Sequence, residues 1–383
     1  MLKILVTGAT GFIGKKVALR LKALGHTVIV QGRDSKKCQE LRKLGFEAIE
    51  ASDQTMTKKV CQNRDVVVNC AGLTKIFARA ADYHLANVNM VEKLIAGCIE
   101  NNAKLVHISS PAVYLNFQDR RLISEDEKLP KTSASDYAQS KRLTDTLIVE
   151  GQKEGLRSII LRPHLVTGPE DFHILYSIIK AHEQGPLPLF RQGQSLVDLT
   201  DIDNVVDAIV LAVESDKGVG KIFNITNGDP KKVIELIEEL FRLVDVPLKT
   251  VSIPFSFEMA SCILGFVEKC CHGLQYLGWD PELFYTRSSL SLFAKDFTLG
   301  LSKAESELGY KPRRTTNESM KNFAMWYKEQ SDKKIEPSST ESKPQPTKWV
   351  SGKQLFFSTV VAGAVAGVTY ALASGGPSTM FRK

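Results

Sequence analysis

A tyrosine and a lysine stand four residues apart in Tyr137-Ala138-Gln139-Ser140-Lys141 and share one face of any helix that carries them. A phenol with an ordinary pKa near 10 is a poor base at neutral pH, but a cation within reach favours its ionised form and lowers that value. Such a pair can give or take a proton. A third polar group, Ser110, closes the run Lys104–Ser109, where a hydroxyl can hydrogen-bond a reacting oxygen and stabilise charge developing on it. Tyrosine and lysine meet at this spacing on many amphipathic helices, so the set gains its weight from what surrounds it.

The first such surrounding is Gly8-Ala9-Thr10-Gly11-Phe12-Ile13-Gly14, which follows the run Lys3–Thr7 and opens a helical stretch. In that context spaced glycines form a phosphate-binding turn. Gly8 and Gly11 let the backbone turn sharply and approach a pyrophosphate at the helix N-terminus, and Gly14 permits close helix–strand packing. Thr7, Thr10, Phe12 and Ile13 belong to the same expected dinucleotide contact. At the end of the second strand an acid would hold the ribose hydroxyls and repel a 2′-phosphate. Here Gln31 is neutral and Arg33 is close by, which favours NADP, while Asp34 keeps NAD open. Asp53 and Gln54 are placed to face the adenine and Ala71-Gly72 the cofactor ribose. Ser109, Pro163, Tyr137 and Lys141 stand where the nicotinamide half would lie, Lys141 reaching its ribose.

Short β-branched runs alternate with amphipathic stretches over residues 1–170, the pattern of an α/β, Rossmann-type doubly wound parallel sheet. Strands are predicted at Lys3–Thr7, Thr27–Gln31, Ala48–Glu50, Asp65–Cys70, Lys104–Ser109 and Ser158–Arg162. Helices are predicted over Gly14–Leu24, His84–Glu100 and Ser135–Glu154. Residues 1–170 read as the NAD(P)-binding domain and 171–330 as a smaller substrate-binding region intertwined with it, returning strand Lys221–Ile225 to the main sheet. The apolar stretch Pro254–Tyr276 is either a core helix or the wall of a greasy cleft. Residues 331–353 lack core formers and read as a flexible linker. Net charge is 50 minus 43, or +7, with both signs interspersed, so no nucleic-acid partner is expected. Seven cysteines, an odd number set mostly in apolar runs, read as free thiols, and their spacing gives no metal site.

With these motifs together the chain resembles the extended short-chain dehydrogenase/reductase family. The likeness rests on the glycine turn, Ser109-Ser110-x-x-Val113-Tyr114, Tyr137-x-x-x-Lys141 and Leu161-Arg162-Pro163-x-x-Val166-x-Gly168-Pro169, and spans about residues 1–330. It implies Tyr137 as acid/base, Ser110 orienting a carbonyl or alcohol, and Lys141 supporting both. Met90-Val91 depart from the Gly-Thr of many relatives, and Asn87 is left to serve the active-site water network. Val197 occupies the place where nucleotide-sugar enzymes of the family carry an arginine. With the Leu308-Gly309-Tyr310-Lys311-Pro312 stretch, this resembles most the branch of 3β-hydroxysteroid and sterol-4-carboxylate 3-dehydrogenases, and implies hydride exchange with a lipophilic alcohol or ketone. An NADPH-dependent reductase of another hydrophobic ketone or aldehyde, a non-catalytic NAD(P)-binding scaffold or sensor, and a sugar-nucleotide epimerase remain as alternatives.

Residues 354–379 contain no charge, and Leu355–Ala373 form an apolar run near the length that crosses a bilayer. A transmembrane helix over 354–375 is therefore expected, a single-pass C-terminal anchor with the catalytic part on the cytosolic side. The small residues of Gly363-Ala364-Val365-Ala366-Gly367 would let two such helices meet, which would give a homodimer.

Overall fold

The computed structural model describes residues 1–332 apart from 53, 54, 280, 282 and 284. Its centre is a seven-stranded sheet, here numbered β1 (Lys3–Thr7), β2 (Thr27–Gly32), β3 (Glu47–Glu50), β4 (Val66–Asn69), β5 (Lys104–Ile108), β6 (Ser158–Pro163) and β7 (Lys221–Ile225). All neighbours pair in parallel, in the order β7-β6-β5-β4-β1-β2-β3. The strands are apolar throughout because both faces are covered. Ile4, Val6, Val28, Val30, Val66 and Val68 turn to one face, against helices Phe12–Ala23 and Ile202–Glu214. Leu5, Ile29, Val67, Leu105 and Ile160 turn to the other, against Met90–Glu100 and Asp136–Lys153. The order reverses between β1 and β4, and in open α/β sheets a ligand crevice lies at that point, outside the strands' C-terminal ends.

The helix ends follow local chemistry. Ser135 caps Asp136–Lys153 by accepting the Ala138 N–H at 3.2 Å, and Asp34 caps Ser35–Lys43 by accepting that of Lys37 at 3.0 Å. The expected helix over His84–Glu100 is interrupted: a π-helical turn, His84–Asn89, precedes Met90–Glu100. Such turns re-aim side chains and recur at functional sites.

A second sheet orders Lys231–Lys232, Leu196–Val197, Phe297–Leu299 and Arg120–Ile123 side by side. Its neighbouring core gathers Leu175, Leu187, Val233, Leu240 and Phe323. Residues after 170 also fill the main core, through Ile209, Phe223, Leu308 and Tyr310. The apolar stretch at Pro254–Tyr276 folds as helix Phe257–Tyr276, capped by Ser256. It buries Phe257, Ala260, Leu264 and Cys271 and leaves Met259, Ile263 and Phe266 exposed, so it is neither a core helix nor wholly a surface one.

The expected membrane anchor is corrected. No helix among the described residues is long and apolar enough to cross a membrane. Even the 20-residue Phe257–Tyr276 carries Glu258, Glu268 and Lys269. The segment 354–375 and the linker that precedes it lie outside the described residues, apart from the linker's first two, which end helix Thr316–Asp332. A C-terminal apolar helix and a membrane location are therefore not carried forward.

Phe223, fully buried in β7, ties the edge of the sheet to Leu308 and Tyr310. Phe223→Ala should lower unfolding free energy by about 3–5 kcal/mol, as large-to-small core changes do. Denaturant unfolding checks it; a loss under about 1 kcal/mol would mean that this edge is not part of the cooperative core.

Candidate active site

The glycine turn is built by exclusion. Gly8 has φ +64°, and a Cβ there would lie 2.6 Å from the Ala71 nitrogen, so the turns after β1 and β4 are in backbone contact. A Cβ on Gly14 would lie 2.4 Å from the Gly8 carbonyl oxygen, which brings the first turn of the following helix onto the strand end. Gly11 caps that helix without a side chain, leaving its N-terminus bare of side-chain partners. Thr7 is fully buried and donates to Asn69 Oδ1 at 2.6 Å, so it braces the strand ends rather than opening to solvent. The same Asn69 oxygen accepts the Ala71 N–H at 3.2 Å, and Asn69 Nδ2 meets His107 Nδ1 at 3.0 Å. Phe12 and Ile13 begin the helix, packed on the main core.

Gln31, which stands where an acid would hold the ribose hydroxyls, turns inward. Its Oε1 accepts the Gly8 N–H at 3.2 Å and its Nε2 donates to the Ala51 carbonyl at 2.6 Å. It therefore holds the glycine turn to the chain after β3. Gly32 packs on Thr10, since a Cβ there would lie 2.3 Å from Thr10 Cγ2. Arg33 follows at the exposed tip, and Asp34 is engaged as a helix cap. Asp53 and Gln54 lie outside the described residues.

Ser110, Tyr137 and Lys141 come together past the C-terminal end of β5. The Ser110 hydroxyl accepts the Ala112 N–H at 3.2 Å and lies close enough to the Tyr137 phenol to favour its ionised form. Burial raises the pKa of that phenol, opposed by the Ser110 hydroxyl. The direction is opposite to the lowering expected from a neighbouring cation, because burial penalises the phenolate; the Lys141 ammonium turns to the Ile108 carbonyl, 2.9 Å away. Burial brings Lys141 down to about 8, resisted by Asp145 and Cys70. Lys141 Nζ also lies 3.6 Å from where a Cβ on Gly72 would be, so the turn after β4 passes directly over it. Ser109 is buried and its hydroxyl has no protein partner. Pro163 closes β6 in register with Ile225.

Asn87, on the π-helical turn, is a brace. Its Oδ1 accepts the Leu73 N–H at 2.7 Å and its Nδ2 donates to Ser140 Oγ at 2.8 Å, joining the Gly72 turn to the helix that carries Tyr137. Several participants escaped the sequence reading. Asn69 and His107 are paired in register on β4 and β5, which no local motif signals. Asp145, four residues beyond Lys141, was legible from helical spacing alone. Leu165, just past β6, has φ +41°, a conformation rare for leucine that sequence does not announce.

Above these groups lies helix Phe257–Tyr276. The His272 ring packs at a tilt against Phe77 with ring centres 4.7 Å apart and approaches Asp136 at 3.9 Å, so the helix reaches both the loop after Gly72 and the residue before Tyr137. At its other end, Phe190, Phe255 and Phe257 line a pocket of about 200 Å³. The cations there are matched: Arg191 pairs with Asp119 at 2.7 Å and Lys295 with Glu258 at 2.6 Å.

Comparison with known proteins agrees with this architecture. The 2-alkyl-3-oxoalkanoate reductase of Shewanella oneidensis is 27% identical over 82% of this chain and 84% of its own length. The mouse (Mus musculus) decarboxylating sterol-4-alpha-carboxylate 3-dehydrogenase is 27% identical over a shorter stretch, 60% of this chain and 65% of its own. The expected sterol branch is thus represented only at a distance. The crystal structure of UDP-glucuronic acid 4-epimerase from Bacillus cereus in complex with NAD shares the fold, with a TM-score of 0.67 and 22% identity, over 86% of this chain and 99% of that one. Residues 4–226 match the sequence model of the NAD dependent epimerase/dehydratase family. The chain therefore belongs to that family and is an NAD(P)-dependent enzyme of the dehydrogenase, reductase and epimerase type acting on CH–OH groups.

Proposed function

We propose that this chain moves a hydride between NADP(H), or NAD(H), and a hydroxyl or ketone carbon of a lipophilic substrate, a 3β-hydroxysteroid or sterol. What carries the reading is the proximity of the Ser110 hydroxyl to the Tyr137 phenol, with Lys141 buried one helical turn away and bonded to the end of β5. The residues present fit a dinucleotide. Gly8 and Gly14 have no room for a Cβ, the helix after Gly11 has no side-chain cap, and the Ser109 hydroxyl is buried without a protein partner. When bound, the dinucleotide supplies the hydride donor or acceptor.

The chain's own groups would then divide the remaining work. Burial keeps the Tyr137 phenol protonated at neutral pH, so it gives its proton to a ketone oxygen in reduction and takes one back from an alcohol in oxidation. Ser110 holds that oxygen in place and stabilises the charge on it. Lys141 offers its ammonium to the cofactor ribose and favours the phenolate when it forms.

Two observations support a lipophilic substrate. The half-apolar helix Phe257–Tyr276 spans the site, and a diphosphate entering the neighbouring phenylalanine-lined pocket would have to displace carboxylates from both Arg191 and Lys295. A second reading, reduction of a hydrophobic open-chain ketone, is favoured by the 2-alkyl-3-oxoalkanoate reductase relative. For the cofactor, Gln31 is turned inward and Asp34 is engaged as a cap, so among the described residues at the end of β2 no carboxylate is committed to the ribose hydroxyls, and Arg33 stands at the tip after it.

Purified protein should oxidise NADPH at 340 nm with a 3-oxosteroid or a hydrophobic ketone. Tyr137→Phe should cut kcat at least about a hundredfold with the cofactor still bound. Turnover unchanged in that variant would remove Tyr137 from the chemistry. Because Lys141 loses its charge as pH rises through about 8, the rate of reduction should fall over that range. Arg33→Ala should weaken NADPH about tenfold while sparing NADH, by loss of one charge-assisted contact to the 2′-phosphate; equal effects on both cofactors in a titration of nucleotide fluorescence would refute that role.

A further inference from the structure

Behind Lys141 lies a chain of buried polar groups that the proposed chemistry does not use. Asp145 sits one turn further along the same helix and is only 4% exposed. Its Oδ2 accepts both Arg162 Nε at 3.0 Å and Arg162 Nη2 at 2.7 Å. Arg162 Nη1 donates to the Tyr114 hydroxyl, which in turn donates to Asn224 Oδ1 at 3.2 Å. Tyr114 comes from the short helix that Ser110 caps, and Asn224 from β7, so the chain of bonds crosses from the helix of Tyr137 to the far edge of the sheet. The other carboxylate oxygen, Asp145 Oδ1, is buried with no hydrogen-bond partner.

An unpartnered anionic oxygen in a dry interior costs free energy unless a nearby charge offsets it. Arg162 offsets it directly on one side, and Lys141, one turn back on the same helix, is a second cation within electrostatic reach. Its only hydrogen bond among the described residues is to the neutral Ile108 carbonyl, so its ammonium lacks a directly bonded counter-ion. We propose that Asp145 is a positioning residue for Lys141: the carboxylate, fixed by the Arg162 fork, supplies through space the negative charge that keeps the buried ammonium ionised and in place at the cofactor edge. This rests on the function proposed above for Lys141.

Other groups around Lys141 offer no substitute. His107 on β5 is held neutral by burial and by Lys141 itself. Cys70, after β4, is pushed up to about 12 by burial and is a thiol at neutral pH. Tyr137 on the same helix is likewise raised. Arg162 is a cation as well, so it cannot replace the negative charge and its part is to fix the carboxylate. Burial lowers Lys141 to about 8, and Asp145 is the largest influence opposing that shift. Without it the ammonium would lose its proton within the physiological range.

The test compares wild type with Asp145→Asn, Asp145→Glu and the double variant Asp145→Asn/Arg162→Gln. The readouts are the pH profile of ketone reduction and, without substrate, the pH dependence of NADPH affinity by nucleotide fluorescence. Asp145→Asn should move the alkaline limb of both profiles to lower pH by about one unit, a loss of about fivefold at pH 8, approaching tenfold at higher pH, that is recovered on acidification. Asp145→Glu should restore the limb. If Asp145→Asn leaves Arg162 unpaired and does not fold, the double variant, which removes both charges, should move the limb in the same direction by a smaller amount. An unmoved limb, or a loss independent of pH that Asp145→Glu does not repair, would overturn the assignment. Tyr137→Phe keeps the two claims apart. If it is inactive while the limb of Asp145→Asn stays put, only the role of Asp145 fails. If wild type turns over no ketone, the functional reading fails and the affinity profile still decides on Asp145.

Discussion

A cation without water is the constraint around which this site is arranged. The Lys141 ammonium is 5% exposed and sits at the end of a sheet whose strands offer it one carbonyl. Groups close to it answer that need or avoid worsening it: a carboxylate one turn away, a histidine held neutral, and a glycine turn that passes within contact distance of the amine. The same enclosure keeps the Tyr137 phenol protonated. Proton donor and cation thus owe their states to one cause, the exclusion of solvent by the turn after β4 and the helix laid above it.

That turn is held by polar braces as well as by the packing of Cys70 and Ala71 on the cores. Asn69 gathers Thr7 and Ala71, Asn87 gathers Leu73 and Ser140, and Gln31 joins Gly8 to Ala51. Each brace satisfies backbone groups that would otherwise be stranded at the strand ends. Backbone contact between Gly8 and Ala71 then becomes affordable only because neither chain carries a side chain into the gap at Gly8.

The sheet was legible because period and composition act locally. Val66, Val67 and Val68 announce a strand buried on both faces, and the glycines after Thr7 announce the turn. Tyr137 and Lys141 were found from helical spacing, which holds wherever the helix packs. What escaped was set by tertiary contacts. Whether Gln31 points outward or inward depends on Gly8 and Ala51, and no neighbour in sequence decides it. The expected lowering of the phenol's pKa considered a cation and omitted burial, which is a property of the assembled fold. The π-helical turn at His84–Asn89 likewise follows from the contact Asn87 makes with Ser140, 53 residues away. For Pro254–Tyr276, hydropathy alone did not separate a core helix from a cleft wall, and the answer is a helix with one face of each kind.

The outward face of that helix has a practical consequence. Met259, Ile263 and Phe266 continue towards Tyr276, Leu277 and Trp279, all of them at least 39% exposed, as an apolar strip on the folded surface. Patches of this kind are adhesive in water. A dye that brightens on apolar surface therefore lights up on the native protein as well as on a loosened state, and does not by itself report unfolding. Sulfate and phosphate, which strengthen apolar burial, promote self-association through the strip in the same conditions that stabilise the cores beneath it.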